Sequence, residues 1–207
     1  MVKRIVVAMS GGVDSSVAAW LLRREGHEVV GLFMRHGIGQ DAANSPADSC
    51  TPARGCCSAA DAADARRVAE MLGIPFYAVD FHGEFEQIVE YFVAEYSAGR
   101  TPNPCIVCNT RLKFGKLFEY ARTVGAEYVA TGHHARILTC GGGPALCRAS
   151  DPAKDQSYAL FGIPRDRLPN VLFPVGEYRK EQVRAFAAKL GLRVADKPDS
   201  QEICFVP

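Results

Sequence analysis

The sequence predicts an α/β fold in which a Rossmann-like parallel sheet carries helices on both faces. A β-branched run at the start breaks at a glycine turn that opens a helix, and short apolar runs then alternate with helix-period segments. The runs are of the buried type, as expected for parallel strands covered on both sides.

Taken in order, residues 3–9 (KRIVVAM) form the first strand, which ends at Ser10-Gly11-Gly12. Val17, Ala18, Leu21 and Leu22 then recur at helical spacing. Residues 28–33 (EVVGLF) read as a second strand, and 58–72, with Ala59, Ala62, Ala63, Val68 and Met71, as a second helix. A third strand is expected at 74–79, helices at 84–96 and 113–124, and a fourth strand at 127–131. Beyond it come a hairpin around Gly141-Gly142-Gly143 and a helix at 180–190, and the sheet totals five or so strands. Two segments interrupt the pattern. Residues 35–57 are polar, contain Gly37, Gly39, Pro46, Pro52 and Gly55, and are too long for an ordinary connection, which marks a functional loop. Residues 99–109 (GRTPNPCIVCN) hold prolines that argue against a helix and end in a cysteine pair.

The 207 residues suit one generous domain, or one domain and a fragment of a second. At 48% apolar and 23% charged, the composition excludes disordered and fibrous classes. No apolar run approaches the roughly 20 residues that span a bilayer, and no signal peptide opens the chain, so a cytoplasmic protein without membrane contact is expected. A net charge of +1 gives no global attraction to polyanions. Locally, Arg100, Arg111, Lys113, Lys116 and Arg122 face Glu119 alone, a stretch suited either to a phosphate backbone or to a solvated helix face.

Ser10-Gly11-Gly12-Val13-Asp14-Ser15-Ser16 sits where a strand gives way to a helix. Glycines let the backbone approach an anion, the first N–H groups and the helix dipole face it, and serine hydroxyls donate to phosphate oxygens. The turn lacks the lysine of a Walker A loop; the bland alternative is a glycine turn with an Asp helix cap. Eight cysteines without an export signal point to reactive thiols or metal ligands rather than a disulfide framework. Cys105 and Cys108 form the one Cys-x-x-Cys pair, Cys50, Cys56 and Cys57 lie in the long loop with a zinc site as one reading, and Cys140 and Cys147 match no motif. His133 and His134 follow a Thr-Gly turn at a strand end, where a positional role is favoured over acid–base chemistry.

The SGGxDS turn resembles the pyrophosphate loop of the ATP pyrophosphatases, whose fold is that of the adenine nucleotide alpha-hydrolases. Met34, the segments CCSAADAADARRVAEMLGIPFY, AGRTPNPCIVCNTRLKFG, ATGHHAR, KDQSYAL, LFPVGEYRKEQVR and DSQEICF, and their order all resemble the tRNA-specific 2-thiouridylases. The resemblance implies ATP-dependent thiolation of the wobble uridine (position 34) of tRNA: the C2 oxygen is adenylated and AMP is displaced by sulfur. It implies that Ala8, Met9, Ser10, Gly11, Gly12, Val13, Asp14 and Ser15 hold the phosphates, that Met34 and Gly132 contact the nucleotide, and that Asp14 helps to place Mg²⁺. Asn103, Pro104 and Cys105 would face the target base, while Lys154, Asp155 and Gln156 would touch tRNA. Cys204 would receive persulfide sulfur from a carrier fed by a cysteine desulfurase, and Cys108 would be the partner nucleophile. Residues 1–140 would form the catalytic nucleotide domain, and 141–207 its remainder with the start of a smaller tRNA-binding region. Relatives continue past the position of Phe205, so the chain reads as truncated or short.

Position 105 departs from the family pattern, which more often has Asp there. Three cysteines at 105, 108 and 204 suit a 4Fe–4S cluster whose open iron holds hydrosulfide, a zinc site, a Cys105–Cys108 disulfide, or an exchange without function. The rival functions are another ATP pyrophosphatase and a nucleotide- or metal-binding module without turnover.

Overall fold

The computed structural model describes residues 1–36, 58–199 and 203–205. The long polar segment, with Cys50, Cys56 and Cys57, therefore falls outside the described residues from position 37 onward.

Seven strands and six α-helices are described: β1 (Arg4–Ala8), α1 (Val13–Arg24), β2 (Glu28–Arg35), α2 (Ala59–Leu72), β3 (Phe76–Asp80), α3 (His82–Ser97), α4 (Pro104–Val107), α5 (Leu117–Thr123), β4 (Tyr128–Thr131), β5 (Ala135–Cys140), β6 (Gly143–Arg148), β7 (Val171–Leu172) and α6 (Lys180–Lys189). Five strands pair in parallel in the order β3-β2-β1-β4-β7, and β5 and β6 form a separate antiparallel hairpin. The chain winds outward from β1 to β3 and then crosses back to β4 on the other side of β1. The carboxyl ends of β1 and β4 thus flank the switch point where open α/β sheets receive ligands.

The period of two in β1 separates the core into two layers. Ile5, Val7 and Met9 pack with Val17, Ala18 and Leu21 of α1, Ala65 and Val68 of α2, and Val183 and Ala187 of α6. Val6 and Ala8 point to the opposite face, among Phe85 and Ile88 of α3, Phe114, and Leu117 and Phe118 of α5. Burying each of these larger side chains stabilises the fold by about 1.5–3 kcal/mol. Helix α2 starts where the sequence says it should: Ser58 and Asp61 form a reciprocal capping box, and Gly73 ends the helix in a left-handed conformation.

Three expectations are corrected. The proline segment does contain a helix, because Pro104 occupies the first helical position, where its missing N–H costs nothing, and the Asn103 side chain caps the N–H groups of Cys105 and Ile106. The expected helix at 113–124 begins earlier, as a π-helix over Cys108–Lys116 that runs into α5. Its wider turns are held by Arg167, whose Nη1 donates to the carbonyl oxygens of Phe114 and Gly115, and by Thr110 Oγ1 donating to Ile106 O at 2.9 Å. The fifth parallel strand, Val171–Leu172, lies in a stretch given no element from sequence; two residues carry no periodic pattern. Among the described residues no helix is long and apolar enough to cross a membrane.

Candidate functional site

The turn after β1 leaves backbone donors at a helix start without a side-chain cap. Gly11 has φ 72°, and a β-carbon there would stand 2.3 Å from the carbonyl oxygen of Asp61, so both the backbone conformation and the approach of α2 require glycine. Gly12 is the N-cap of α1 and has no side chain to offer the first-turn N–H groups. These donors and the helix dipole are left for a negatively charged group. Ser10 is exposed, whereas Ser15 is buried. The Ser15 hydroxyl ties the turn together, 3.3 Å from Ser10 Oγ and 3.2 Å from the Gly12 carbonyl oxygen.

Gly132, at the end of β4, closes the other side. A β-carbon there would lie 2.4 Å from Ser15 N and 2.6 Å from Asp14 C, so the end of β4 meets the first turn of α1 at backbone distance. Behind it His133 is half-buried, with Nδ1 2.6 Å from Thr131 Oγ1 and its ring between Phe114 and Phe173. Burial, reinforced by the nearby charge of Lys113, holds its pKa well below the usual histidine range. The His133 imidazole is therefore neutral at pH 7.

Asp14 is not an isolated acid. Its two oxygens lie 2.7 and 2.6 Å from Lys180 Nζ, and Oδ1 lies 3.2 Å from His134 Nε2. Burial works to raise its pKa, but the hydrogen bonds from His134 and Lys180 outweigh it and keep the carboxyl below the ordinary range. Lys180 also reaches Asp199 at 2.8 Å, and Asp199 in turn pairs with Lys154 at 2.8 Å and Arg184 at 3.1 Å. A Mg²⁺ ion on Asp14 has to compete with the Lys180 ammonium. Lys180, Asp199 and Lys197 were not singled out from sequence, since their partners stand far away along the chain.

The other expected residues divide. Ala8, Met34, Cys108 and Cys204 all belong to or pack against the core cluster under α3 and α5, whereas Met9 and Val13 belong to the opposite one. Cys105 is exposed on α4, and the Asn103 side-chain oxygen is occupied in capping that helix. Among the described residues no group of three His, Cys, Asp or Glu side chains converges to hold a metal ion. Of the three cysteines expected to share a site, Cys105 is exposed, while Cys108 and Cys204 are half-buried against the core. Of the expected tRNA contacts, Lys154 is paired with Asp199, Asp155 Oδ1 accepts from Ala149 N at 2.9 Å, and Gln156 Oε1 accepts from His134 N at 2.9 Å. These are hydrogen bonds within the chain, and the one to Gln156 ties it to the backbone of His134.

A family model described as the tRNA methyl transferase HUP domain matches residues 3–207. Similar proteins include the tRNA-specific 2-thiouridylase MnmA of Rhodopirellula baltica, 55% identical over 98% of this chain and 56% of the relative. Another is the protein of the same name from Lachnoclostridium phytofermentans, 53% identical over 99% of this chain and 57% of the relative. The chain thus spans little more than half the length of these relatives. Among solved structures, a 4-thiouridine synthetase–RNA complex with bound ATP shares the fold, with a TM-score of 0.58 at 15% identity, over 95% of this chain and 43% of that one. With its family model covering residues 3–207, this chain belongs to the tRNA methyl transferase HUP domain family.

Proposed function

We propose that the chain carries the nucleotide-binding and sulfur-handling part of a tRNA-uridine 2-sulfurtransferase, acting on the wobble uridine at position 34 of tRNA. The observation that carries this reading is the uncapped glycine turn at the switch point, in a chain with two half-buried cysteines on one core face. The C2 oxygen of the uracil attacks the α-phosphorus of ATP and pyrophosphate leaves. Oxygen then departs with AMP when sulfur attacks C2, which turns a poor leaving group into a phosphate ester that can go.

In this scheme residues 8–15 cradle the phosphates by their N–H groups, and Met34 and Gly132 border the nucleotide. Asn103, Pro104 and Cys105 face the base, and the segment with Lys154, Asp155 and Gln156 lies toward tRNA. Cys204 accepts a persulfide sulfur, and the Cys108 thiolate attacks the Cys204 sulfur. A Cys108–Cys204 disulfide forms, hydrosulfide is released to displace AMP, and a thiol reductant reopens the disulfide. Residues 1–140 supply the catalytic nucleotide part, and 141–207 its remainder and the start of a tRNA-binding region.

The family description speaks of methyl transfer and the relatives' names of thiolation. An ATP-activated oxygen and an attacking thiol need the turn and the cysteines; methyl transfer needs neither. The test is incubation with ATP, Mg²⁺, a persulfide or hydrosulfide source and tRNA bearing unmodified uridine 34, with mass spectrometry of the nucleosides. The expected product is 2-thiouridine with AMP and pyrophosphate. ATP binding without pyrophosphate release would instead indicate a non-catalytic module, and AMP formation indifferent to tRNA another pyrophosphatase.

A further inference from the structure

Residues 197–199 are held against the nucleotide turn by charges from several separate elements. Lys197 Nζ lies 3.1 Å from the Gly11 carbonyl oxygen, 2.5 Å from Asp61 Oδ1 and 3.0 Å from Asp64 Oδ2. Asp199 collects Lys154, Lys180 and Arg184 within 3.1 Å. Lys180 is the shared member, because the same Nζ holds both oxygens of Asp14. Its side chain is 9% exposed, so its attraction to the two carboxylates is weakly screened. One buried ammonium therefore joins the turn after β1 to Asp199, and Asp199 is followed, after residues 200–203, by Cys204.

We propose that Lys180 and Asp199 are positioning residues that couple occupancy of the turn by a triphosphate to the reactivity of Cys204. This rests on the reading of the turn as an ATP site. A triphosphate on the turn adds negative charge beside Asp14 and draws the Lys180 ammonium toward itself. What Lys180 gives to phosphate it withdraws from Asp199. Asp199 keeps Lys154 and Arg184, so the segment stays attached while the anchor ahead of Cys204 is weakened. Sulfur chemistry is thereby linked to the presence of the activating nucleotide. It is a coupling in the thermodynamic sense, with two sites and one element that both bias.

The experiment measures the rate at which Cys204 is alkylated by iodoacetamide, read by mass spectrometry of its peptide. The probe is α,β-methylene-ATP, which keeps the triphosphate charge and blocks cleavage between the α and β phosphates. Calorimetry measures its binding to the same sample, and Cys140, exposed on the hairpin, reports the general reactivity of a surface thiol. In the wild type the analogue is expected to change the Cys204 rate by about fivefold or more, the lower end of typical coupling between linked sites. In Asp199→Asn the rate is expected to stand near the nucleotide-bound value without the analogue and to stop responding, while the analogue still binds; Asp199→Glu restores the response. An unchanged Cys204 rate in wild-type protein that binds the analogue overturns the coupling and leaves the ATP reading intact. An equal response in Asp199→Asn removes Asp199 as the link. Failure of the wild type to bind the analogue overturns both readings, and the wild-type measurement decides even where a variant does not fold.

Discussion

Gly132→Ala tests the contact on which the proposed nucleotide site rests. The added β-carbon would meet Ser15 N at 2.4 Å, Asp14 C at 2.6 Å and Ser15 Cα at 2.9 Å, whereas ordinary contact begins at 3.4 Å. All three are backbone atoms of the first turn of α1, and no side-chain rotation relieves them. Either β4 or α1 must shift by roughly 1 Å, and α1 is packed into the core through Val17, Ala18 and Leu21. Overpacking of this kind costs about 3 kcal/mol at the upper end of the usual range. At about 2–4 °C per kcal/mol for a chain of this size, the melting temperature should fall by roughly 6–12 °C. Gly83→Ala is the control: Gly83 lies in α3 with nothing within 4 Å of the added carbon. It should gain up to about 1 kcal/mol in helix propensity and melt slightly higher. Thermal unfolding by circular dichroism reads both variants, and calorimetry reads ATP binding, which Gly132→Ala should weaken by about tenfold as the turn is displaced. A Gly132→Ala protein that melts within about 2 °C of wild type and binds ATP equally well would refute the argument.

Cys108→Ser and Cys204→Ser should each abolish formation of 2-thiouridine while sparing ATP binding, because in the proposed scheme adenylation and sulfur transfer use different groups; thiolation at the wild-type rate by either variant removes that cysteine from the scheme. Burial works to raise the pKa of Asp199, but hydrogen bonds from Lys154 and Lys180 bring it from 3.8 down to about 2. A depressed carboxyl contributes stability that is present above its unfolded pKa and is lost as pH falls from about 4 toward 2; allowing for screening, this is worth about 1–2 kcal/mol. Asp199→Asn should therefore flatten the acid limb of the melting temperature against pH, and an unchanged slope would contradict the ion-pair geometry. Arg167→Met removes the donor to the Phe114 and Gly115 carbonyls and should cost about 1–3 kcal/mol. Amide hydrogen exchange across the π-helix should accelerate, and exchange as slow as wild type would show that the wide turns stand without Arg167.

Local patterns made most of the architecture legible. The β1 run, the glycine turn and the α1 spacing sit next to one another in sequence and report one strand–turn–helix unit. The Gly141-Gly142 pair predicts a hairpin because both residues adopt positive φ at its tip. What escaped is what depends on distant partners. Val171–Leu172 is a strand only because β4 lies beside it. The π-helix over Cys108–Lys116 is held in part by an arginine on a later turn. Pro104 was read as a breaker, although the Asn before it makes it a helix start.

The same division runs through the site. The turn at residues 10–12 is legible because a glycine turn between strand and helix is a local backbone pattern, while the ion pairs that hold Asp14 join residues from opposite ends of the chain. One local sign of them does exist. Lys180 stands at the first position of α6, the end where the helix dipole disfavours a cation by about 0.3–1 kcal/mol. It is also buried, which adds a larger desolvation cost for an ammonium. A lysine kept there against both effects requires acids supplied from elsewhere, and the structure supplies two, Asp14 and Asp199. Removing either leaves Lys180 to the other alone, so the glycine turn and the segment ahead of Cys204 are held by one charge balance rather than by two independent contacts.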